Sequence, residues 1–333
     1  MRRPYFYNSR AGFTILEVMV ASAVFVLLLG LLMSTISQTS TVTRRATEKV
    51  SAFQGARSAF ELLTSKLSQA TMNSYWDYDS PTTPTKYIRK SELHFVVGPA
   101  GQTPLPGTSG TGQAVFFQAP GGVTGTSTYN GMDNLLNAYG YYIDYKEEPG
   151  LPFQPPASKT SRYRLMQQVS NTESLGVYSG NATSDPDGTG WISGDNSAVV
   201  AENIVYMAIW PRKATSEDEF GNALTKSFEY NSRNGTSASD MAKPNYVQPD
   251  YSNQLPPVVQ VTMVAIDEAS AVRFCISDTV PPQISDAFSG LFTKSSFTQF
   301  DADLDTLSQK LTANGVNFRV FTTIVPMRES KMQ

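Results

Sequence analysis

Residues 13–33, FTILEVMVASAVFVLLLGLLM, decide the architecture because they form one almost wholly apolar run. A helix of these 21 residues, at about 1.5 Å per residue, is about 31 Å long and matches the hydrocarbon core of a bilayer. The rest of the chain is rich in Gly, Pro, Ser and Thr and has the character of soluble sequence. The sequence therefore predicts one membrane span followed by one soluble body.

The charges around this run predict its orientation. Residues 1–12 contain three arginines and no acidic residue, whereas residues 34–43 contain no lysine or arginine. Positively charged flanks stay in the cytoplasm. We therefore expect a single pass through a membrane, with the amino terminus in the cytoplasm and the body outside it.

Two ordinary explanations of the apolar run fit less well. A secretory signal peptide carries small residues after its apolar segment, but here Ala11 and Gly12 precede the segment and no A-x-A site follows Met33. A plain membrane anchor leaves Glu17 unexplained, because a carboxylate within an apolar span costs about 2.5 to 3.5 kcal/mol on insertion scales, less near an end, and usually has a partner.

Residues 11–18, AGFTILEV, resemble the processing motif of type IV prepilins and type II secretion pseudopilins. The resemblance implies that a prepilin peptidase cleaves between Gly12 and Phe13, that the new amino group of Phe13 is methylated, and that Glu17 acts in assembly. Glu17 is expected to pair with the positive amino terminus of a neighbouring subunit, because one ion pair in lipid replaces two isolated charges. The implied partners are other pilin or pseudopilin subunits, the inner membrane assembly platform and membrane lipid. The resemblance also implies that the membrane is the inner membrane, that the body is periplasmic, and that the subunit is part of a filament after assembly.

The segment after the apolar run predicts a continuation of the same helix. Residues 34–72 contain no proline, and their apolar residues recur at steps of three and four, which is typical of an amphipathic helix. An ordinary helix of the body is compatible with the same pattern. The expected organisation is a leader at 1–12, a transmembrane half-helix at 13–33, an amphipathic half-helix at 34–72 and a globular body at 73–333.

The sequence of the body predicts an α+β fold with a largely antiparallel sheet. The resemblance implies that the long helix packs on this sheet, as it does in pilins. Short β-rich runs alternate with turn-forming residues, and long polar loops separate them. The predicted strands are 92–97, 113–118, 138–146, 161–169, 204–211, 226–230, 257–266 and 317–325, with one helix at 301–313.

Three further stretches suggest a subtype. LPPVVQVTM, at 255–263, is similar to a strand of the large minor pseudopilins of the J type, an analogy that implies a place near the filament tip. The stretches 265–271 and 321–328 resemble prepilin-type cassette proteins of verrucomicrobial genomes.

Composition argues against several other classes of function. The net charge is −3, and loss of the leader leaves 23 basic against 29 acidic residues, a net charge of −6. A mildly acidic body without clustered cations is a poor candidate for nucleic-acid binding. The single cysteine, Cys275, cannot form an intrachain disulfide and is expected to be a small buried residue.

The chain also has few of the residues and motifs from which common enzyme active sites are built. His94 is the only histidine, so a site built from several histidines is impossible, and it is expected on the solvent side of its strand. There is no P-loop, dinucleotide fingerprint or paired cysteine motif. The sequence therefore predicts a protein that is not an enzyme. Clustered tyrosines, such as Tyr139 and Tyr141, are interpreted as half-buried packing residues, with partner or carbohydrate binding as the alternative.

One segment is a candidate for Ca²⁺. Residues 185–196, DPDGTGWISGDN, resemble a calcium-binding loop, with Asp185, Asp187 and Thr189 as the candidate oxygen ligands. The twelfth position holds Asn196 instead of the usual glutamate, so an ordinary Asp/Gly turn is the alternative. No other cofactor is indicated.

The leading hypothesis is a structural subunit, a minor pilin or pseudopilin in a type II secretion pseudopilus or a type IV pilus. The alternative is a membrane-anchored, adhesin-like binding module that uses its surface loops. A third possibility, an anchored hydrolase, would need His94 or a pair of carboxylates in a pocket.

Overall fold

The computed structural model describes residues 14–80, 82–147, 161–178, 189–193, 196–213, 224, 227–235, 238–241, 243, 245–293 and 296–332. The chain divides into two compact units, Met1–Ser51 and Ala52–Gln333. The first α-helix, α1 (Ile15–Leu67), contributes residues to both units.

In the first unit, α1 begins with an almost wholly apolar stretch. Within the described residues it holds the one stretch long and apolar enough to cross a membrane, Ile15–Ser40, with a mean hydropathy of 2.7 and no residue buried by the protein. Its hydroxyl side chains bond within the helix: Ser22 Oγ donates to the Met19 carbonyl at 2.9 Å and Thr35 Oγ1 to the Leu32 carbonyl at 2.8 Å. Such bonds lower the cost of placing a hydroxyl in hydrocarbon.

In the second unit, α1 presents one apolar stripe to the core. Ala56, Phe60, Leu63 and Leu67 follow one another at helical steps and are all buried. The ring of Phe60 lies 5.8 Å from that of Phe321, measured between ring centroids. From Ala56 to Leu67 one side of the helix is therefore apolar and buried. The predicted amphipathic half-helix at 34–72 as a whole stays a prediction.

The helix ends earlier than the pattern predicts. It stops at Leu67 instead of residue 72, and the following turn is closed by the Ala70 N–H, which donates to the Leu67 carbonyl at 3.0 Å. The Thr71 N–H then donates to the Gln118 carbonyl at 2.8 Å. The chain leaves the helix there because its backbone joins the sheet.

Eleven strands and four more α-helices follow within the described residues. The strands are β1 (Tyr75–Tyr78), β2 (Tyr87–Lys90), β3 (Val96–Pro99), β4 (Gln113–Pro120), β5 (Leu136–Glu147), β6 (Ser161–Ser170), β7 (Ser197–Glu202), β8 (Ile204–Arg212), β9 (Tyr230–Asn231), β10 (Val258–Ile266) and β11 (Phe318–Pro326). The helices are α2 (Ala238–Met241), α3 (Glu268–Phe274), α4 (Pro282–Phe288) and α5 (Phe297–Ala313).

These strands form three sheets, and every paired strand in them runs antiparallel to its neighbour. The largest sheet has the order β7-β6-β5-β4-β3-β9, the second has the order β11-β10-β8, and β1 and β2 form a hairpin of their own. An isolated parallel bridge joins Gly112 to Met207 and links the two larger sheets. A side chain at position 112 would overlap the Met207 backbone, so the close approach requires glycine.

An aromatic cluster forms the part of the core near α4 and α5. The rings of Tyr206 and Phe288 stack at 4.3 Å with an interplanar angle of 3°. Phe300 packs on both Trp210 and Phe292, at centroid distances of 5.6 and 5.4 Å. These contacts hold the second sheet against α4 and α5.

The predicted fold class, α+β with an apolar amino-terminal helix and an antiparallel sheet body, is confirmed. Several boundaries differ. The strand predicted at 92–97 begins only at Val96, the strand predicted at 226–230 is reduced to Tyr230–Asn231, and the helix predicted at 301–313 begins at Phe297. Strands β1, β2 and β7 were not predicted.

The core stripe of α1 allows a matched test of stability. Leu63 is completely buried, whereas its neighbour Leu62 is 41% exposed. We expect Leu63→Ala to lower the free energy of unfolding by about 2 to 5 kcal/mol because it leaves a cavity. Leu62→Ala should cost well under half of that. Chemical unfolding of the full chain in detergent micelles measures both, and equal losses would contradict the packing described here.

Candidate functional site

The start of α1 is fixed by two neighbouring polar side chains. The Glu17 N–H donates to Thr14 Oγ1 at 3.3 Å, and the Thr14 N–H donates to Glu17 Oε2 at 3.4 Å. This reciprocal arrangement is a capping box, with Thr14 as the N-cap and Glu17 three residues later. It satisfies backbone donors that the first helical turn leaves without partners.

The capping box gives Glu17 a structural role within its own chain. A carboxylate at the first turn also lies at the positive end of the helix dipole, which stabilises it. From the sequence, assembly was the one role predicted for Glu17, and this second role was not predicted. The signal was present, because Thr14-x-x-Glu17 directly precedes an apolar run.

The other residues predicted to take part in processing, Gly12 and Phe13, lie outside the described residues. Their roles in cleavage and methylation stay predictions. Of the three residues assigned to processing and assembly, the structure therefore places Glu17 alone.

Comparison with known families bears on the same segment. Residues 7–33 match the family model described as the prokaryotic N-terminal methylation motif. The chain carries a prepilin-type methylation motif. The match ends at residue 33, so it covers none of the body. No curated protein and no solved structure matches the chain.

The methylation motif and the apolar part of α1 together support membrane anchoring. The motif also supports the predicted relation to prepilins and pseudopilins and favours a structural subunit. The finer relation to J-type pseudopilins, or to verrucomicrobial cassette proteins, stays a prediction.

The prediction for His94 was wrong, because this side chain is fully buried and does not face solvent. Its Nε2 lies 2.7 Å from Asn231 Oδ1, and Trp191 Nε1–H donates to its Nδ1 at 3.3 Å. An indole N–H can only donate, so Nδ1 accepts and the ring proton sits on Nε2, where it is donated to Asn231. His94 therefore takes part in a buried hydrogen-bond network.

Residues on both sides of His94 explain why the prediction failed. Leu93, Phe95 and Val96 are buried together with it, so burial does not alternate along this stretch. The Gln118 side chain accepts the His94 backbone N–H at 2.9 Å. Alternation predicts exposure only where one face of a strand is solvated.

The candidate calcium loop is only partly within the described residues. Asp185 and Asp187 lie outside them, and Thr189 lies inside. The Ile192 N–H donates to the Thr189 carbonyl at 2.8 Å, which closes a turn, and Trp191 anchors that turn next to His94. Among the described residues no group of three or more His, Cys, Asp and Glu side chains could hold a metal ion. The calcium site therefore stays a prediction.

The predictions for Cys275 and the tyrosines concern packing. Cys275 is buried, as predicted, and burial raises the pKa of its thiol to about 11, which keeps the thiol protonated near neutral pH. Tyr139, Tyr141, Tyr142 and Tyr145 on β5 are all buried, more deeply than half. The interpretation of these tyrosines as packing residues is confirmed.

The role of the buried Trp191 indole and its hydrogen bond to His94 can be tested by one substitution, Trp191→Phe, which removes the N–H donor and also shortens the ring. Trp191→Phe keeps an aromatic ring but leaves Nδ1 of His94 as a buried acceptor without this donor. We expect a loss of about 1 to 3 kcal/mol in the free energy of unfolding. Trp76→Phe is the control, because Trp76 is exposed and should cost little. Chemical unfolding measures both, and equal effects would contradict a stabilising role for the bond.

Proposed function

We propose that the chain is a minor pilin or pseudopilin, a structural subunit of a type II secretion pseudopilus or a type IV pilus. The observation that carries the proposal is the methylation motif at residues 7–33, which runs into a helix whose apolar side chains are exposed from Ile15 onward. Exposed apolar surface of this kind needs lipid or other subunits around it.

The first step of the proposed pathway is processing by a prepilin peptidase. Cleavage between Gly12 and Phe13 removes the basic leader and leaves Phe13 as the new amino terminus, which is then methylated. Phe13 directly precedes Thr14, the N-cap of α1, so the new positive charge is created beside the capping box. The chain is then anchored by one helix in the inner membrane, with the body on the periplasmic side.

The second step is assembly through Glu17. The capping contact occupies one carboxylate oxygen, Oε2, and an ionised carboxylate accepts several hydrogen bonds. The positive amino terminus of a neighbouring subunit can therefore bind the same carboxylate without breaking the cap. In lipid this pairing is favourable because it removes two isolated charges at once. The inner membrane assembly platform brings the subunits together.

The body presents the specific surface of the subunit. We place the chain at or near the filament tip, on the analogy of LPPVVQVTM at 255–263 with J-type pseudopilins; that stretch covers most of β10, the central strand of its sheet. An adhesin-like binding role is the second candidate. It is favoured by one observation, the exposed aromatic residues of the β1–β2 hairpin.

The processing step is tested by the intact mass of the chain purified from membranes of cells that hold a prepilin peptidase. We expect the mass to lack residues 1–12 and to include one added methyl group on Phe13. If the chain kept its leader in those cells, the proposed processing would be wrong and α1 would be a plain membrane anchor. The same chain produced without the peptidase is the control and should keep the leader.

The roles of Glu17 in capping and in assembly can be separated by two substitutions. Glutamine at this position keeps an oxygen that accepts the Thr14 N–H but removes the charge, whereas alanine removes both. If charge pairing drives assembly, Glu17→Gln and Glu17→Ala should both be processed normally and both be at least tenfold depleted from filaments. Mass spectrometry of sheared filaments and of membranes measures this. Normal incorporation of Glu17→Gln would show that only the cap matters.

A further inference from the structure

The β1–β2 hairpin exposes three aromatic rings on one face. In its antiparallel register Trp76 lies opposite Arg89, and Tyr78 lies opposite Tyr87. Side chains two apart on a strand share a face, so all four point to the same side. Trp76 is 66% exposed and Tyr87 62% exposed, although aromatic residues of this size are usually mostly buried. We call Trp76, Tyr78 and Tyr87 the aromatic face.

The hairpin is held rigidly to the body by Arg89 and Gln248. The guanidinium group of Arg89 donates to three backbone carbonyls: those of Ser252 at 2.7 Å, Asp250 at 2.7 Å and Pro249 at 3.2 Å. The Gln248 side chain accepts the Arg89 N–H and donates to the Arg89 carbonyl, both at 2.7 Å. Gln248 therefore pairs with the edge of β2 as a neighbouring strand would.

The rings themselves are also ordered. Tyr78 and Tyr87 stack with centroids 4.6 Å apart, and the Tyr87 hydroxyl donates to the Tyr78 hydroxyl at 2.8 Å. Asp79 accepts the backbone N–H groups of Thr85 and Lys86, which fixes the turn, and the Thr85 hydroxyl and backbone hold the pKa of Asp79 well below its usual range. Exposed rings that are already ordered lose little conformational entropy when a ligand binds.

A cavity of about 510 Å³ lies beside Trp76 and has a mostly polar, cationic lining. Its cations are Arg89, Lys213 and Lys331, and its acidic residue is Asp250. Ser74 and Gln254 also line it. An aromatic wall next to a polar, positively charged cavity suits a ligand that combines a weakly polar flat face with hydroxyl groups and a negative charge.

We propose that this cavity and the aromatic face bind an acidic carbohydrate, a glycan that contains hexuronate residues. The C–H groups of one pyranose face stack on the Trp76 ring, whose π-face is electron-rich. The carboxylate lies between Lys213 and Lys331, and the ring hydroxyls exchange hydrogen bonds with the polar lining. The inference is independent of filament assembly, because no part of α1 lines the cavity.

The surroundings of the aromatic face favour a glycan over a protein partner. The centre of a protein interface is depleted in charged residues, yet here Arg89 lies 5.8 Å from the Trp76 ring, and Lys213, Lys331 and Asp250 line the cavity beside that ring. A hairpin of two four-residue strands is also small beside the roughly 800 Å² that each partner contributes to a standard interface.

The proposal is tested with the full chain in detergent micelles and trigalacturonate as the probe, by isothermal titration calorimetry. The matched control ligand is its methyl ester, which keeps the rings and hydroxyls but not the charges. We expect saturable binding of trigalacturonate, and binding of the ester that is at least tenfold weaker. Trp76 is the exposed one of three tryptophans, so its fluorescence should also change on binding.

Variants assign the binding to this site. Trp76→Ala should weaken binding of trigalacturonate at least tenfold, and Lys213→Gln combined with Lys331→Gln should abolish the preference for the acid over the ester. Tyr129→Ala, which removes an exposed aromatic ring elsewhere, is the control and should bind normally.

Three outcomes would overturn the proposal: no saturable binding, equal binding of acid and ester, or normal binding by Trp76→Ala. Competition by an acidic peptide at equal strength would also overturn it, in favour of a protein ligand. The intact-mass test of the methylated amino terminus is unaffected by any of these results, so the two proposals fail separately.

Discussion

The buried stripe of α1 is the contact on which the fold of the body depends. Ala56, Phe60, Leu63 and Leu67 are spaced so that one side of the helix enters the core, and Phe60 meets Phe321 on β11. Earlier in the same helix, no residue of Ile15–Ser40 is buried by protein. The apolar residues are thus continuous in the first part of the helix and confined to one side in the second. The first part has the composition of a membrane span, whereas the second packs on the core of the body.

Elements with a clear sequence pattern could be predicted, and elements held by contacts between distant residues could not. The apolar run was recognisable because it is continuous and long enough to span a bilayer. Strands β10 and β11 were recognisable because polar and apolar residues alternate in their sequences, although both faces of β10 are buried. The same reasoning failed for His94, since the residues around it are buried without alternation. It also missed the β1–β2 hairpin, whose strands YWDY and YIRK are four residues long and owe their position to Arg89 and Gln248. Contacts between residues about 160 positions apart leave no periodic signal in a sequence.

Thr14 and Glu17 show how one short motif serves local structure and, on the proposed function, assembly. The carboxylate accepts the Thr14 N–H and thereby helps to begin the helix. The same negative charge near the end of an apolar helix is costly in lipid until a positive partner arrives. The cap provides a hydrogen bond but no neutralising charge. On the proposed function, the carboxylate therefore still favours binding to the amino terminus of another subunit, even though its own helix is already capped.

The three tryptophans of the chain show that the surroundings of an aromatic residue, more than its type, indicate what it does. Trp210 packs among phenylalanines, and Trp191 donates to His94 and holds a loop to the sheet. For both of these residues, the free energy gained by burial offsets the loss of side-chain conformational entropy. Trp76 lies on a rigid hairpin, and most of the surface of its side chain is exposed to solvent. Ordering this side chain therefore adds little to the stability of the body. Four hydrogen bonds donated by the backbone and side-chain nitrogens of Arg89 hold the strand beneath it. A side chain kept both exposed and ordered in this way is better explained by contact with something outside the chain than by the stability of the body.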